Sequence, residues 1–310
     1  MLAYYTKRSQ GEEFERLSKP HKQNMWVDGS ELSAGELDTV VRSYDLNTNI
    51  VYDVRDRQEL SRLEFKEDTA YIFLRVPHMA NSGHVAASPM LVVVRPELFM
   101  TLSQGETFSP ESVVATTLPI DIHHTTDLLL GVIAACVGSY QELIKHTERG
   151  INDTASRLKT HEVTNADFIH FVTVEDNLTS FRMNLDGILS VITRLCDTHK
   201  VSMSENNREA LDDISQHIKQ LLVAVESYGG RVESIRSAYS TIADNSLNQR
   251  MKTLTVLTVL ITLPNIIFGM FGMNVALPFE KSPWAYGGVI GLSIAITLTV
   301  YLVGRRKHLF

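Results

Sequence analysis

The C-terminal fifth of this chain almost entirely lacks ionised side chains. Between Thr253 and Phe279 there is no Asp, Glu, Lys or Arg, and none again from Ser282 to Gly304. Roughly 20 helical residues cross a hydrocarbon core of about 30 Å. Thr253–Phe271 and Trp284–Val303 both meet that length. Two such runs with a short Pro-containing link predict a membrane hairpin rather than a buried core helix. Proline is missing from Asp121 to Asn248, which leaves that stretch free to form long helices. Cys136 and Cys196 stand alone, without CxxC spacing. That excludes a zinc ribbon or dithiol pair and predicts two buried thiols. No HExxH, GxSxG, Gly-rich phosphate loop or kinase signature occurs, so nothing points to an enzyme. The first eight residues lack the apolar core of a signal peptide.

The charge that is present is unevenly divided. The 310 residues carry a net −7; residues 251–310 hold five Lys or Arg against one Glu, leaving −11 on residues 1–250. An acidic soluble part argues against nucleic acid as a partner and suits divalent cations. Arg250 and Lys252 precede the first apolar run, and Arg305, Arg306 and Lys307 follow the second. Basic residues at both outer flanks place both termini in the cytoplasm, at the plasma membrane. The link Val275–Pro283 then faces outward with Glu280 and Lys281. The sequons at Asn152 and Asn177 fall on the cytoplasmic side and are read as chance.

The overall expectation is an α+β protein. Residues 1–118 alternate β-rich runs with polar turns and predict a small α/β domain. Tyr71–Val76 and Met90–Arg95 are its clearest strands, and Gly35–Tyr44 and Arg57–Leu63 read as short helices. Residues 119–250 predict a helical stalk region, with helices at Thr125–Glu148, Ala166–Cys196 and from Glu205 onward. In the last, Leu211, Ile214, Ile218, Leu221, Val225, Tyr228, Val232, Ile235, Tyr239 and Ile242 keep alternating 3- and 4-residue steps. Such a seam needs cover, from a helical hairpin of the same subunit, from another copy, or from both. No break signal separates it from the first apolar run, so one rod approaching ~100 Å is expected from Glu205 to about Met270. The remaining divisions are a first span at 251–272, an external loop at 273–283, a second span at 284–304 and a basic tail at 305–310.

The first span is polar along one side. Asn248, Met251, Thr255, Thr258, Thr262, Asn265 and Gly269 fall within an arc of about 120° on a helical wheel. Helical threonines commonly bond back to their own carbonyls and pack quietly. A mid-membrane Asn aligned with three Thr points instead to a surface facing water. One helix encloses no pore, so several copies around an axis are expected. Pro264 lies on the opposite side. The second span has no comparable stripe beyond Ser293, Thr297 and Thr299, and reads as an outer, lipid-facing helix with Trp284, Tyr286 and Tyr301 as interfacial anchors.

Gly272-Met273-Asn274 closes the first span, Leu263-Pro264-Asn265 precedes it, and a second span with a basic tail follows. Together they resemble the CorA-type magnesium transporters. Met251-Lys252 with Leu254-Thr255 is similar to that family's entry to the first span. Asp212-Asp213-Ile214 with His217 resembles its stalk helix, and Met25-Trp26-Val27-Asp28 its first strand. Phe271 stands where the family usually has Tyr, Asn265 where Thr is common, and the outer link is less acidic than in many members.

The resemblance implies a homopentamer with a cytoplasmic funnel, long stalk helices and five first spans lining one pore. It implies passive inward movement of Mg2+, often of Co2+ or Ni2+ as well. Mg2+ sheds water reluctantly, so a ring of Asn274 amides with Gly272 carbonyls suits outer-sphere contact with a hydrated ion. Met251 and Leu254 form the expected apolar constriction. Regulation by cytoplasmic Mg2+ between subunits is also implied, with Asp213 as candidate ligand and Asp212 as its neighbouring alternative. A zinc-transporting relative is the nearest rival, although that branch commonly shows Ile or Val in place of Met273. His123, His124, Asp121 and Asp127 offer a zinc set, but adjacent helical histidines point about 100° apart. A two-span sensor is the rival from a different class.

Overall fold

The computed structural model describes residues 2–7, 14–17, 25–105, 108, 112–113, 124–158, 165–198, 200–273 and 283–306. They fall into two compact units, Met1–Ile235 and Arg236–Phe310.

The first unit is built on a seven-stranded sheet: β1 (Leu2–Lys7), β2 (Phe14–Leu17), β3 (Trp26–Ser30), β4 (Arg62–Lys66), β5 (Thr69–Met79), β6 (Val85–Arg95) and β7 (Leu98–Ser103), in the order β2-β1-β3-β7-β6-β5-β4. Strands β4 to β7 form an antiparallel meander, and β3 joins it parallel to β7 with Trp26 opposite Phe99. The first strand is therefore Leu2–Lys7 and not the Trp26 segment, which follows it as β3.

Helix α1 (Ala34–Tyr44) starts at a capping box. The Glu36 N–H donates to Ser33 Oγ at 3.4 Å, and the Ser33 N–H to Glu36 Oε2 at 2.8 Å, a motif worth about 1 kcal/mol. Helix α2 (Thr48–Asp53) is capped by Asn47, whose Oδ1 accepts from the Ile50 N–H at 3.2 Å. The helix expected at Arg57–Leu63 does not form. Leu60 there is 62% exposed, and the segment runs into β4, where Leu63 is fully buried. The polar cap sits ten residues upstream of the expected start and decides the helix position. Against α1 and α2 the sheet buries Val27, Tyr71, Phe73, Leu91, Val93 and Met100. The alternate residues Ile72, Leu74 and Val92 are buried as well, because α3 (Thr125–Leu158) and α4 (Asn165–Asp197) pack on β4, β5 and β6. A strand covered on both faces reads as an unbroken apolar run, as β5 and β6 do.

Helix α3 is itself apolar and long enough to cross a membrane, but 61% of its apolar window is buried in the protein. It is a core helix. Its Tyr140 hydroxyl donates to the Arg75 carbonyl at 2.9 Å, and burial pushes that phenol well above its ordinary pKa. The Cys136 thiol beside it is buried and pushed up for the same reason, whereas Cys196 is only half-buried. Asn177, on α4, is 5% exposed and ties the β5–β6 turn to the helix layer. Its Oδ1 accepts from the Val85 N–H at 2.7 Å, and its Nδ2 donates to the Gly83 carbonyl at 3.0 Å. The sequon at 177 thus coincides with a structural amide.

Helix α5 runs unbroken from Glu205 to Phe271, through Gly229 and Gly230 and with Pro264 inside it. Helix α6 (Ala285–Arg306) completes the second unit. The seam on α5 is buried at Leu211, Ile214, Ile218, Leu221, Val225 and Val232 within the first unit, while Ile242 and Leu247 in the second are 47% and 61% exposed.

Candidate functional site: a polar face on the first apolar helix

Two helices of the second unit are long and apolar enough to cross a membrane. The apolar window of the long helix α5 is 0% buried and that of α6 is 11% buried. An apolar surface of that extent in water would be costly, so both segments call for a non-aqueous surrounding.

The burial pattern on α5 sorts its faces. Val256, Val259, Leu260, Leu263, Pro264 and Ile267 are half-buried; Met251, Thr255, Thr258, Thr262, Asn265 and Gly269 are exposed. At 100° per residue the two sets are centred about 150° apart. The half-buried set faces α6, whose own covered residues include Ser293 and Thr297. Leu260, Pro264 and Phe268 line a cavity of about 600 Å³ with Ile290, Ser293 and Thr297. The polar stripe therefore points away from α6. Asn248 and Leu254 are exposed as well, Leu254 at 57%.

All three threonines of the stripe bond back to their own helix. The Thr255, Thr258 and Thr262 hydroxyls donate to the carbonyls of Met251, Leu254 and Thr258 at 2.9, 2.8 and 2.7 Å. This satisfies each proton but leaves oxygen lone pairs on the exposed face. Bonding back and lining a watery path are therefore compatible.

The helix closes tightly at its C-terminal end. The Gly272 N–H reaches the Phe268 carbonyl at 3.0 Å and the Gly269 carbonyl at 3.3 Å, and Met273 N–H reaches Met270 at 3.4 Å. Shared i−3 and i−4 bonding satisfies the last carbonyls of a helix. A Cβ placed on Gly272 would meet nothing nearer than 3.4 Å, so this chain alone does not require glycine there. Met273 is 60% exposed. Asn274, Glu280 and Lys281 lie outside the described residues.

The regulatory and zinc candidates are dispersed. Asp212 and Asp213 both sit on the exposed side of α5. Asp127 accepts from Asn207 Nδ2 at 2.9 Å, a brace between α3 and α5; Asp121 and His123 lie outside the described residues. Among the described residues no three His, Cys, Asp or Glu side chains are grouped to hold a metal. Arg62 instead gathers Asp53, Glu59 and Glu64 around one guanidinium, which also lies 4.4 Å over the Phe73 ring.

Comparison with known proteins gives this arrangement a context. The cobalt/magnesium transport protein CorA of Methanocaldococcus jannaschii is 20% identical over 292 residues, covering 91% of this chain and 90% of its own. That of Thermotoga maritima is 21% identical over 272 residues, 85% of this chain and 77% of its own. Among solved structures, the complete CorA magnesium transporter of M. jannaschii superposes with a TM-score of 0.82 at 18% identity, covering 99% of this chain and 98% of that one. The full-length CmaX protein gives 0.70 at 14% identity, covering 98% and 97%. At such identities the superpositions establish the fold. The CorA-like Mg2+ transporter protein family itself matches residues 21–306, taking in strands β3 to β7 of the sheet, the long helix with its polar face and the second apolar helix, and the chain belongs to that family of metal-ion transporters.

Proposed function

We propose that this protein carries Mg2+ passively into the cell through a pore made by the polar faces of several first spans, most simply five. The carrying observation is the separation of faces on α5: its apolar side meets α6 and its polar side turns the other way. In a bilayer that polar side needs protein or water, and a ring of copies supplies both. The uncovered seam residue Ile242, with the exposed Leu247 beyond it, continues the same demand for a neighbour.

In this reading the Asn274 amides and Gly272 carbonyls ring the outer mouth and hydrogen-bond the waters of a hydrated ion. The stripe from Gly269 to Thr255 conducts it, and Met251 with Leu254 forms the apolar constriction near the inner end, gating by dewetting. Both termini face the cytoplasm of the plasma membrane, and Asp213 binds cytoplasmic Mg2+ between subunits to hold the pore shut. No nucleotide is needed as fuel. A divalent ion crossing 100 mV gains about 4.6 kcal/mol, equivalent to about three decades of concentration. Co2+ and Ni2+ fit the same outer-sphere chemistry. The likeness to the ZntB cytoplasmic domain of Vibrio parahaemolyticus, TM-score 0.60 at 10% identity, concerns the fold and does not favour zinc.

The test uses the full chain in liposomes with an internal Mg2+ indicator. Uptake is expected, and Asn274→Ala is expected to abolish it; undiminished uptake removes the amide ring. Single cysteines at 258, 262 and 265 are expected to react with a water-soluble thiol reagent. Protection of all three by lipid would remove the pore itself.

A further inference from the structure

We infer that the stripe favours one sign of ion by hydrogen-bond polarity: Thr255, Thr258 and Thr262 form an acceptor-only surface that suits water-wrapped cations better than water-wrapped anions. This rests on the pore reading above and adds a basis for selectivity that needs no charged side chain.

The argument starts from proton bookkeeping on three hydroxyls. Each carries one proton and two lone pairs. In all three the proton is committed to the carbonyl four residues back, at 2.7 to 2.9 Å. What remains for a passing species is acceptor capacity alone. A hydroxyl that donates becomes a better acceptor, because chained hydrogen bonds polarise one another.

Now consider what an ion presents. Water bound to a divalent cation turns its oxygens inward and its hydrogens outward, so the hydrated cation is a ball of donors. Water around chloride turns one O–H inward and leaves its other O–H and its lone pairs outward, so that shell offers about half as many donors per water. Acceptor oxygens complement the first shell fully and the second only in part, and the weakly polar surroundings of a bilayer enlarge the difference. Ionised side chains are absent from Thr253 to Phe271, so within that segment no full charge competes with that preference.

Position makes the three residues act together. Rises of about 4.5 Å from 255 to 258 and 6 Å from 258 to 262 place acceptors at successive heights on one face. The same back-bond at Thr297 and Thr299 on α6 shows that it is an ordinary helical device. Its consequence on α5 comes from the alignment of three such oxygens away from α6. Asn265, one turn further out, carries both donors and acceptors and marks the outer limit of the acceptor-only stretch.

The test compares valine, which keeps the shape but has no lone pairs, with serine, which keeps the hydroxyl. Full-length protein with both Thr258→Val and Thr262→Val is expected to lose at least tenfold of Mg2+ entry into liposomes. The corresponding Ser pair is expected to recover flux to within about threefold of the parent. A chloride-sensitive dye in the same vesicles is expected to report no anion entry for the parent or the Ser pair. Mg2+ entry at the parental rate in the Val pair overturns the inference, as does equal loss in both pairs, since serine retains the acceptor. Chloride entry through the parent also overturns it. Thiol labelling at Thr258→Cys and Thr262→Cys separates the levels. Labelling together with an undiminished Val pair discards the acceptor role and leaves the pore standing, whereas protection at both positions discards the pore and this inference with it.

Discussion

Replacing Gly272 by Ala separates what one chain needs from what several copies need. The added methyl would lie 3.4 Å from the Phe268 carbonyl oxygen and 3.6 Å from that of Gly269, ordinary van der Waals distances. Gly272 does not use the left-handed backbone region; among the described glycines Gly83 alone does. Where alanine fits the backbone, a Gly→Ala change stabilises a chain by about 0.4–1 kcal/mol through the unfolded state. The folded subunit is therefore expected to keep or slightly raise its melting temperature, read by circular dichroism on purified full-length protein. Transport should respond differently, because a methyl then enters from every copy around the axis. Overpacking costs typically 1–3 kcal/mol, and 1.4 kcal/mol is a factor of ten. Mg2+ influx is thus expected to fall roughly 10- to 100-fold, while the melting temperature of subunits dissociated from one another holds. Parental influx would refute the close approach of copies at this glycine. A fall of several degrees in melting temperature would show that the subunit's own backbone demands it.

Asn177→Ala strands the buried Val85 N–H, at about 1–3 kcal/mol, while the carbonyl of the exposed Gly83 turns to water. Trp26 reports the loss, since it is 1% exposed among Tyr5, Phe14 and Phe99 while Trp284 is 84% exposed; an unchanged denaturation midpoint in its fluorescence would contradict the tether. Asp28 has its pKa raised by burial, against the lowering effect of the Thr101 hydroxyl that donates to it at 2.7 Å. Its charge therefore opposes folding above the folded-state pKa, and the penalty fades as pH falls from there toward 3.8. Asp28→Asn, which keeps the acceptor for Thr101, should raise the melting temperature at pH 7 and bring little gain near pH 4; an equal gain at both would show that charge is not the cause. Asp213→Ala should weaken inhibition of influx by Mg2+ loaded inside the liposomes, with Asp212→Ala as comparison, and inhibition unchanged in both would remove the stalk carboxylates from regulation.

What the sequence shows and what it hides divide along one physical line. The missing charges, the 3.6-residue repeat and the opposition of Pro264 to the threonines are properties of a single helix, and a linear reading recovers them. The helix expected at Arg57–Leu63 gives way to one at Thr48–Asp53, whose cap at Asn47 is a local signal, while Arg62 and Leu63 enter β4. The place of β1 and β3 in the sheet depends on hydrogen bonds between distant segments, and no periodicity records them. The same holds for Thr125–Ser156, whose composition suits a membrane and whose burial on the sheet decides otherwise. The candidate site shows both sides within a few residues. That Thr255, Thr258 and Thr262 share a face follows from their spacing. Where their protons go depends on a side-chain rotation, and that rotation decides whether the face offers donors or acceptors. A stripe named only as polar would suit an anion path equally well; in the proposed pore it is the orientation of the three hydroxyls that favours cations.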